Sequence, residues 1–347
     1  MRVSIRNQYV DSLKGLCIFL VIFGHCLQYG SGAVFLSDGE YWDNLGMKFI
    51  YSFHMPLFMA ISGYLFAFSL SKYGPVEVCK RRIIKLIKPI MLWALFLTAL
   101  NVHGGGTLVK SVRTYVKFVL TDFWFLWAVL VCSAGAAILN TIIERQRNDC
   151  LKIVLIILLA LSFLVIPEKF NLQMYKYMFP FFVLGFQTAK NEVRISKLVG
   201  VVSTAFWILL LLFYKKEAYI YTTGISLIGK ANAMRQFLID VYRYAIGAFG
   251  TIAVAFLWRR VYNFLERNEY GLWRYIKKIT EYLGEKSIVL YILSTYLFEY
   301  VVPFITKAFS LNYLLTVLET VLVIVICLGV GELIGRKEIV AEWVLGQ

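Results

Sequence analysis

Residues 314–327 read LLTVLETVLVIVIC and residues 153–163 read IVLIILLALSF, and these two runs decide the fold class. A membrane β-strand alternates apolar and polar positions over about ten residues. Both runs are too continuously apolar for that, so they read as helices, which satisfy their own backbone polar groups in lipid. A spanning helix needs about 20 apolar residues, with a range of about 17–25. Ten stretches meet that length, some loosely: 13–30, 46–70, 87–102, 118–142, 151–166, 174–189, 198–214, 237–258, 286–305 and 312–335. The expectation is an all-α membrane protein of about ten transmembrane helices. It forms a single domain over 1–347 with no separate soluble domain.

Composition supports the same class. Of 347 residues, 60% are hydrophobic and 16% charged, whereas soluble domains run near half apolar and a quarter charged. The formal charge of +15 raises nucleic acid as a partner. No zinc-finger spacing or RNA-binding signature accompanies it, and basic residues are routine at the cytoplasmic ends of membrane helices. No nucleic-acid partner is expected. With the N-terminus inside, 24 of the 36 Lys and Arg residues fall on the inner side, favouring an N-in, C-in topology in the cell inner membrane. The most basic inner segments are 71–88 and 259–286, both read as loops. Cys17, Cys26, Cys132 and Cys327 sit in apolar runs and read as small hydrophobes, not as bridges; no metal site is expected.

Ionisable groups inside spans are costly, so each is a functional candidate. His25 follows FLVIFG over 19–24 and lies about 18 Å along a helix that begins near Leu13. Neutral imidazole moves protons near physiological pH. A packing histidine satisfied by its neighbours is the plainer alternative. Asp11 reads as an N-cap of the same helix, about 21 Å from His25 if the helix is continuous. Cys26 does not share a face with His25, which argues against a Cys–His nucleophile pair. The second span opens Phe53-His54-Met55-Pro56, where Pro56 suits a helix start, and Gly63 permits close helix approach. In the run KRRIIKLIKP over 80–89, Arg82 and Lys85 are three apart and could clamp an anion together. A plain basic flank of a membrane helix is the alternative there. Asp240 and Arg243 are spaced to neutralise one another, and Glu332 to pair with Arg336. Glu319 could bind a sugar hydroxyl or pair with a neighbour.

Together these pieces resemble the membrane acyltransferase-3 family, which includes fucose 4-O-acetylase-like proteins. The resemblance rests on Arg6 through Asp11, Lys14 and Gly15 with His25; then Phe53-His54-Met-Pro56-Leu-Phe58; Ser62-Gly63-Tyr64; and Arg82 to Pro89. Further matching blocks are Trp124-Phe125-Leu126, Phe179 to Gly185, and Leu283-Gly284-x-x-Ser287-x-x-x-Tyr291. It implies a ten-helix membrane enzyme that takes an acyl group, most simply acetyl, from cytosolic acyl-CoA. The group goes to a sugar hydroxyl of an envelope or exported polysaccharide, or its lipid-linked precursor. Carried over, His25 is the catalytic histidine, and Arg82 with Lys85, flanked by Arg81 and Lys88, handles the coenzyme A.

Asp11, Arg6, His54, Ser62, Tyr64, Trp124 and Glu299 are candidate supporting or acceptor residues. Two positions depart from the family pattern. Lys85 stands where Arg is usual, which keeps the charge but loses the bidentate fork. The block after Ser287 ends in Ser294 where His is usual. Acetyl-CoA, or another acyl-CoA, is the expected co-substrate; a glycan or lipid-linked sugar and membrane lipids are the expected partners. The rival readings are a non-enzymatic carrier of a glycan or small anion, and transfer of succinyl in place of acetyl. The chain ends soon after the tenth span, which favours direct transfer without an appended extracytoplasmic domain.

Overall fold

The computed structural model describes residues 7–30, 42–102, 107–148, 150–152, 154–155, 158, 168, 171–227, 230–268, 270–300, 313–337 and 342–344. Twelve principal helices are α1 Gln8–Gly30, α2 Leu45–Tyr51, α3 His54–Tyr73, α4 Pro75–Val102, α5 Leu108–Thr121, α6 Trp124–Arg145, α7 Leu172–Lys190, α8 Lys197–Leu211, α9 Ala233–Arg267, α10 Leu272–Glu285, α11 Ser287–Tyr300 and α12 Tyr313–Gly335. No strand occurs among the described residues.

Among the described residues, five segments are long and apolar enough to cross a membrane: Gln8–Tyr29, Leu45–Tyr73, Trp124–Arg145, Ala233–Arg267 and Tyr313–Gly335. They correspond to the first, second, fourth, eighth and tenth expected spans. The seventh and ninth appear as shorter apolar helices, and the fifth falls mostly outside the described residues. The third differs for a physical reason. Its apolar stretch is only the second half of α4, a helix of 28 residues whose first half carries the basic run.

Segments 71–88 and 259–286 are therefore mostly helical, not loops. Lys, Arg and Glu are good helix formers, so charge alone does not break a helix. The fourth span is also shorter than 118–142 suggested. The chain turns at Asp122 and Phe123, separating α5 from α6. Asp11 is not the N-cap of α1: Asn7 Oδ1 accepts from the Val10 N–H, and Asp11 sits in the first turn bound to Lys14 at 3.0 Å.

The chain divides into two compact units that interleave in sequence. The first comprises residues 1–58, 195–215 and 246–341, and the second 59–194, 216–245 and 342–347. In the first unit α1 packs on α10, α11, α12 and α2. The α1–α10 crossing depends on two glycines. A Cβ on Gly15 would come within 2.8 Å of the Thr280 carbonyl carbon, and one on Gly284 within 2.6 Å of the Asp11 carbonyl carbon. Beside them the Ser12 hydroxyl donates to Thr280 Oγ1 at 3.0 Å and accepts from the Trp258 indole N–H at 3.1 Å.

The second unit repeats the device with different residues. A Cβ on Gly63 of α3 would meet the Phe182 carbonyl carbon of α7 at 2.8 Å, and one on Gly185 the Ala60 carbonyl carbon at 2.6 Å. Four glycines from separate sequence blocks are thus two helix crossings. Because backbone faces backbone, no side chain can move aside, and overpacking costs about 1–3 kcal/mol. Gly63→Ala should lower the thermal unfolding midpoint of the detergent-purified protein by several degrees; an unchanged midpoint would contradict the crossing.

The second unit also buries Arg243 almost completely. Its guanidinium donates to the carbonyls of Ala218, Glu217 and Gly224 at 2.9, 3.0 and 2.7 Å and to Thr223 Oγ1 at 2.6 Å. Asp240 supplies the counter-charge at 2.7 Å, as the spacing predicts. Glu332, by contrast, pairs with Lys286 at 3.2 Å and accepts from Tyr282 at 2.7 Å, so its partners lie on neighbouring helices and not at Arg336.

Candidate active site

α1 runs unbroken from Gln8 to Gly30, so His25 keeps its depth on the helix and Asp11 stays about 21 Å away along it. His25 is part-buried, and its ring lies 5.0 Å from that of Phe298 on α11. The Gln28 side chain, three residues on and on the same face, hydrogen-bonds it. Gly24 brings α2 close: a Cβ there would lie 3.6 Å from Ile50 and 3.9 Å from Tyr51.

His54 opens α3 on the same side of that contact. Its Nδ1 lies 2.7 Å from the Ile50 carbonyl, and its ring packs 4.9 Å from Tyr51. A carbonyl only accepts, so Nδ1 carries the proton and Nε2 keeps a lone pair. The His25 and His54 imidazoles are within electrostatic range of one another. His54 is buried.

Glu319 on α12 belongs to the same unit. It is 7% exposed, and neither carboxylate oxygen has a hydrogen-bond partner among the described residues. It lies within electrostatic range of the Cys26 thiol, whose hydrogen bond goes to Thr320. The sequence marks Glu319 as a polar group in a span but does not place it beside α1; which face of an almost wholly apolar helix turns inward is not written in such a run. Gln28 and Phe298 carry no signal in the sequence that would single them out.

The basic residues form a separate group in the second unit. Arg82 turns inward: its Nη1 donates to Ser133 Oγ at 2.6 Å, and its guanidinium lies 4.6 Å over the Phe66 ring. Burial lowers its pKa to about 10, which leaves it charged at physiological pH. Lys85, one turn on, is exposed. Arg81 binds Glu77 at 2.7 Å and covers the Tyr73 ring at 4.3 Å. Lys88 is engaged by Glu342 at 2.6 Å and by the Trp343 ring at 4.7 Å.

Of the other expected site residues, Ser62 and Tyr64 flank the Gly63 crossing on α3, with Tyr64 against Phe68 at 5.2 Å. Trp124 begins α6, its ring 5.9 Å from Phe125 and 6.5 Å from Tyr221. Arg6 and the Glu299 side chain lie outside what is described. Cys17, Cys26, Cys132 and Cys327 are buried as small apolar groups.

Comparison with known proteins accounts for the order of these parts. Residues 7–335 match the acyltransferase domain that defines acyltransferase-3 proteins. The chain belongs to the acyltransferase-3 family. Among curated relatives, the nodulation protein NolL of Mesorhizobium japonicum is 26% identical over 308 residues, 85% of this chain and 77% of that one. NolL of Sinorhizobium fredii is 25% identical over 311 residues, covering 85% and 78%. No solved structure matches. As an acyltransferase-3 protein with several membrane-length helices, it is a membrane acyltransferase, and the family favours the enzymatic reading over a carrier.

Proposed function

We propose that this acyltransferase moves an acyl group, acetyl in the simplest case, from acyl-CoA to a hydroxyl of an envelope glycan or its lipid-linked precursor. His25 acts as the general base. The observation that supports it is a part-buried imidazole on an unbroken membrane-length helix, held by Gln28 and packed on Phe298. In the reaction His25 takes the proton of the acceptor hydroxyl as its oxygen attacks the thioester carbonyl. Collapse of the tetrahedral intermediate breaks the C–S bond, and the imidazolium returns the proton to the leaving thiolate. Each cycle ends with an ester, free coenzyme A and a neutral histidine.

Charge division between the units fits the two substrates. The basic group around Arg82 suits an anionic donor, and by the positive-inside rule it lies on the cytoplasmic side of the inner membrane. In the first unit Glu319 offers two acceptor oxygens to sugar hydroxyls.

The direct test incubates the purified protein with radiolabelled acetyl-CoA or succinyl-CoA and isolated envelope glycan. Base-labile label on the glycan from acetyl-CoA is expected; label from neither donor would refute the proposal. Glu319→Gln keeps the shape but puts an amide donor where an acceptor oxygen stood, and leaving a buried hydrogen bond unmade costs about 1–3 kcal/mol. It should lower kcat/KM for the glycan by about ten- to a hundredfold while leaving coenzyme A binding unchanged. An unaltered kcat/KM would remove Glu319 from the acceptor site.

A further inference from the structure

The helix α5, in the second unit, presents two exposed faces that acyl transfer leaves unused. Thr107 caps it, its Oγ1 accepting from the Lys110 N–H at 3.4 Å. Its packed side carries Phe118, which is buried, and Tyr115, whose hydroxyl donates to the Met91 carbonyl of α4 at 3.4 Å. At 3.6 residues per turn the remaining positions fall into two neighbouring stripes. Leu108, Val109, Val112 and Val116 form one, all aliphatic and 47% to 81% exposed. Lys110, Arg113 and Lys117, spaced i, i+3 and i+7, form the other, and all three are exposed.

No carboxylate neutralises these cations. The sequence has no Asp or Glu between Glu77 and Asp122, and none of the three makes an ion pair among the described residues. Asp122 acts on Lys117 electrostatically, while its Oδ1 accepts from Thr121 Oγ1 at 2.7 Å. The helix on which α5 packs exposes more apolar surface, with Met91, Leu92, Leu95 and Phe96 on one face of the apolar half of α4.

The two stripes together name the partner. Water solvates the cations but leaves the aliphatic stripe uncovered, and an acidic protein surface matches the cations alone. A phospholipid satisfies both. Its acyl chains cover the aliphatic stripe, and its phosphate meets the cations, whose long stems reach to headgroup level. We propose that α5 is an interfacial helix whose Lys110, Arg113 and Lys117 bind the phosphates of anionic phospholipids while Leu108, Val109, Val112 and Val116 rest against their acyl chains. The inference depends on neither the acyl donor nor the acceptor. It makes the lipid around α5 differ from the bulk bilayer. Phosphatidylglycerol, whose headgroup is a net anion, is favoured over phosphatidylcholine, whose own cation offsets its phosphate.

The test places the full-length protein in nanodiscs holding equal amounts of phosphatidylglycerol and phosphatidylcholine, one of them carrying a photoreactive diazirine in its acyl chain. Mass spectrometry then maps the crosslinked peptides. Both lipids should label residues 108–116, with phosphatidylglycerol favoured about fivefold or more, since one cation near an anionic surface is worth about a factor of five. The triple variant Lys110→Gln, Arg113→Gln, Lys117→Gln should bring the two yields together. Lys110→Arg, Arg113→Lys, Lys117→Arg should keep the preference, because it keeps the charge at each position. Equal yields in wild type, or a preference that survives loss of all three charges, would overturn the proposal. So would labelling that spares α5, the result expected if a protein partner or a second copy of this chain covers the face. Loss of the phosphatidylglycerol labels on adding a small mole fraction of a polyprenyl phosphate would give the stripe to a lipid-linked acceptor and overturn the phospholipid assignment.

Discussion

Membranes carrying His25→Ala should yield glycan with its ester groups reduced about 10²–10⁴-fold, the usual contribution of a positioned general base. The part-buried ring packs against Phe298 and bonds Gln28, so its loss removes these two contacts and leaves the helix intact. His25→Gln serves as the control, since it preserves polarity and approximate length but cannot take a proton at neutral pH. Both variants should be equally inactive and accumulate in the membrane at wild-type levels. Mass spectrometry of the released glycan reads the outcome. Esters at wild-type abundance in a stably expressed His25→Ala strain would end the assignment of His25 as the base.

The largest stability effect is expected at Arg243. It makes four hydrogen bonds to residues 217–224 and one ion pair to Asp240, all in the second unit. Removing one partner of a buried pair costs about 3–5 kcal/mol, because the other charge is left uncompensated. Arg243→Ala should therefore accumulate poorly or unfold at markedly lower temperature. Asp240→Asn with Arg243→Met, which removes both charges, should recover part of the loss. Equal destabilisation in the single and double variants would mean that the bonds to 217–224, and not the charge pair, carry the effect.

Sequence showed the class of fold more readily than its segmentation. The run at 314–327 is helical as its composition requires, but helix ends at basic stretches were not visible. The run over 80–89 continues one helix because its charged residues are themselves helix formers, so hydropathy placed a boundary where the backbone has none. The break at Asp122 and Phe123 was equally hidden, since only Thr121 and Asp122 interrupt apolar residues on both sides of it.

In the site, His25 was legible because an imidazole in an apolar run is costly and stands out from its neighbours. Tertiary partners were not. Glu319 lies beside Cys26 across some 290 residues of chain, and Arg82 finds Ser133 on another helix. The pair Asp240 and Arg243 was legible because its spacing lies within one helix, while Glu332 found its partners on other helices instead of the nearby Arg336.

The glycine crossings carry a consequence for genetics. Gly15 and Gly284 each face the backbone of the opposing helix, as do Gly63 and Gly185, and a Cβ on Gly284 would also lie 2.9 Å from the Gly15 nitrogen. A larger residue at one of them consequently cannot be accommodated by shrinking its partner, which is already the smallest residue there is. A suppressor screen starting from Gly63→Val should return mostly true revertants, with few second-site changes at Gly185. Such positions evolve without compensation, so these four glycines should vary less among descendants of this chain than the aromatic residues packed around them.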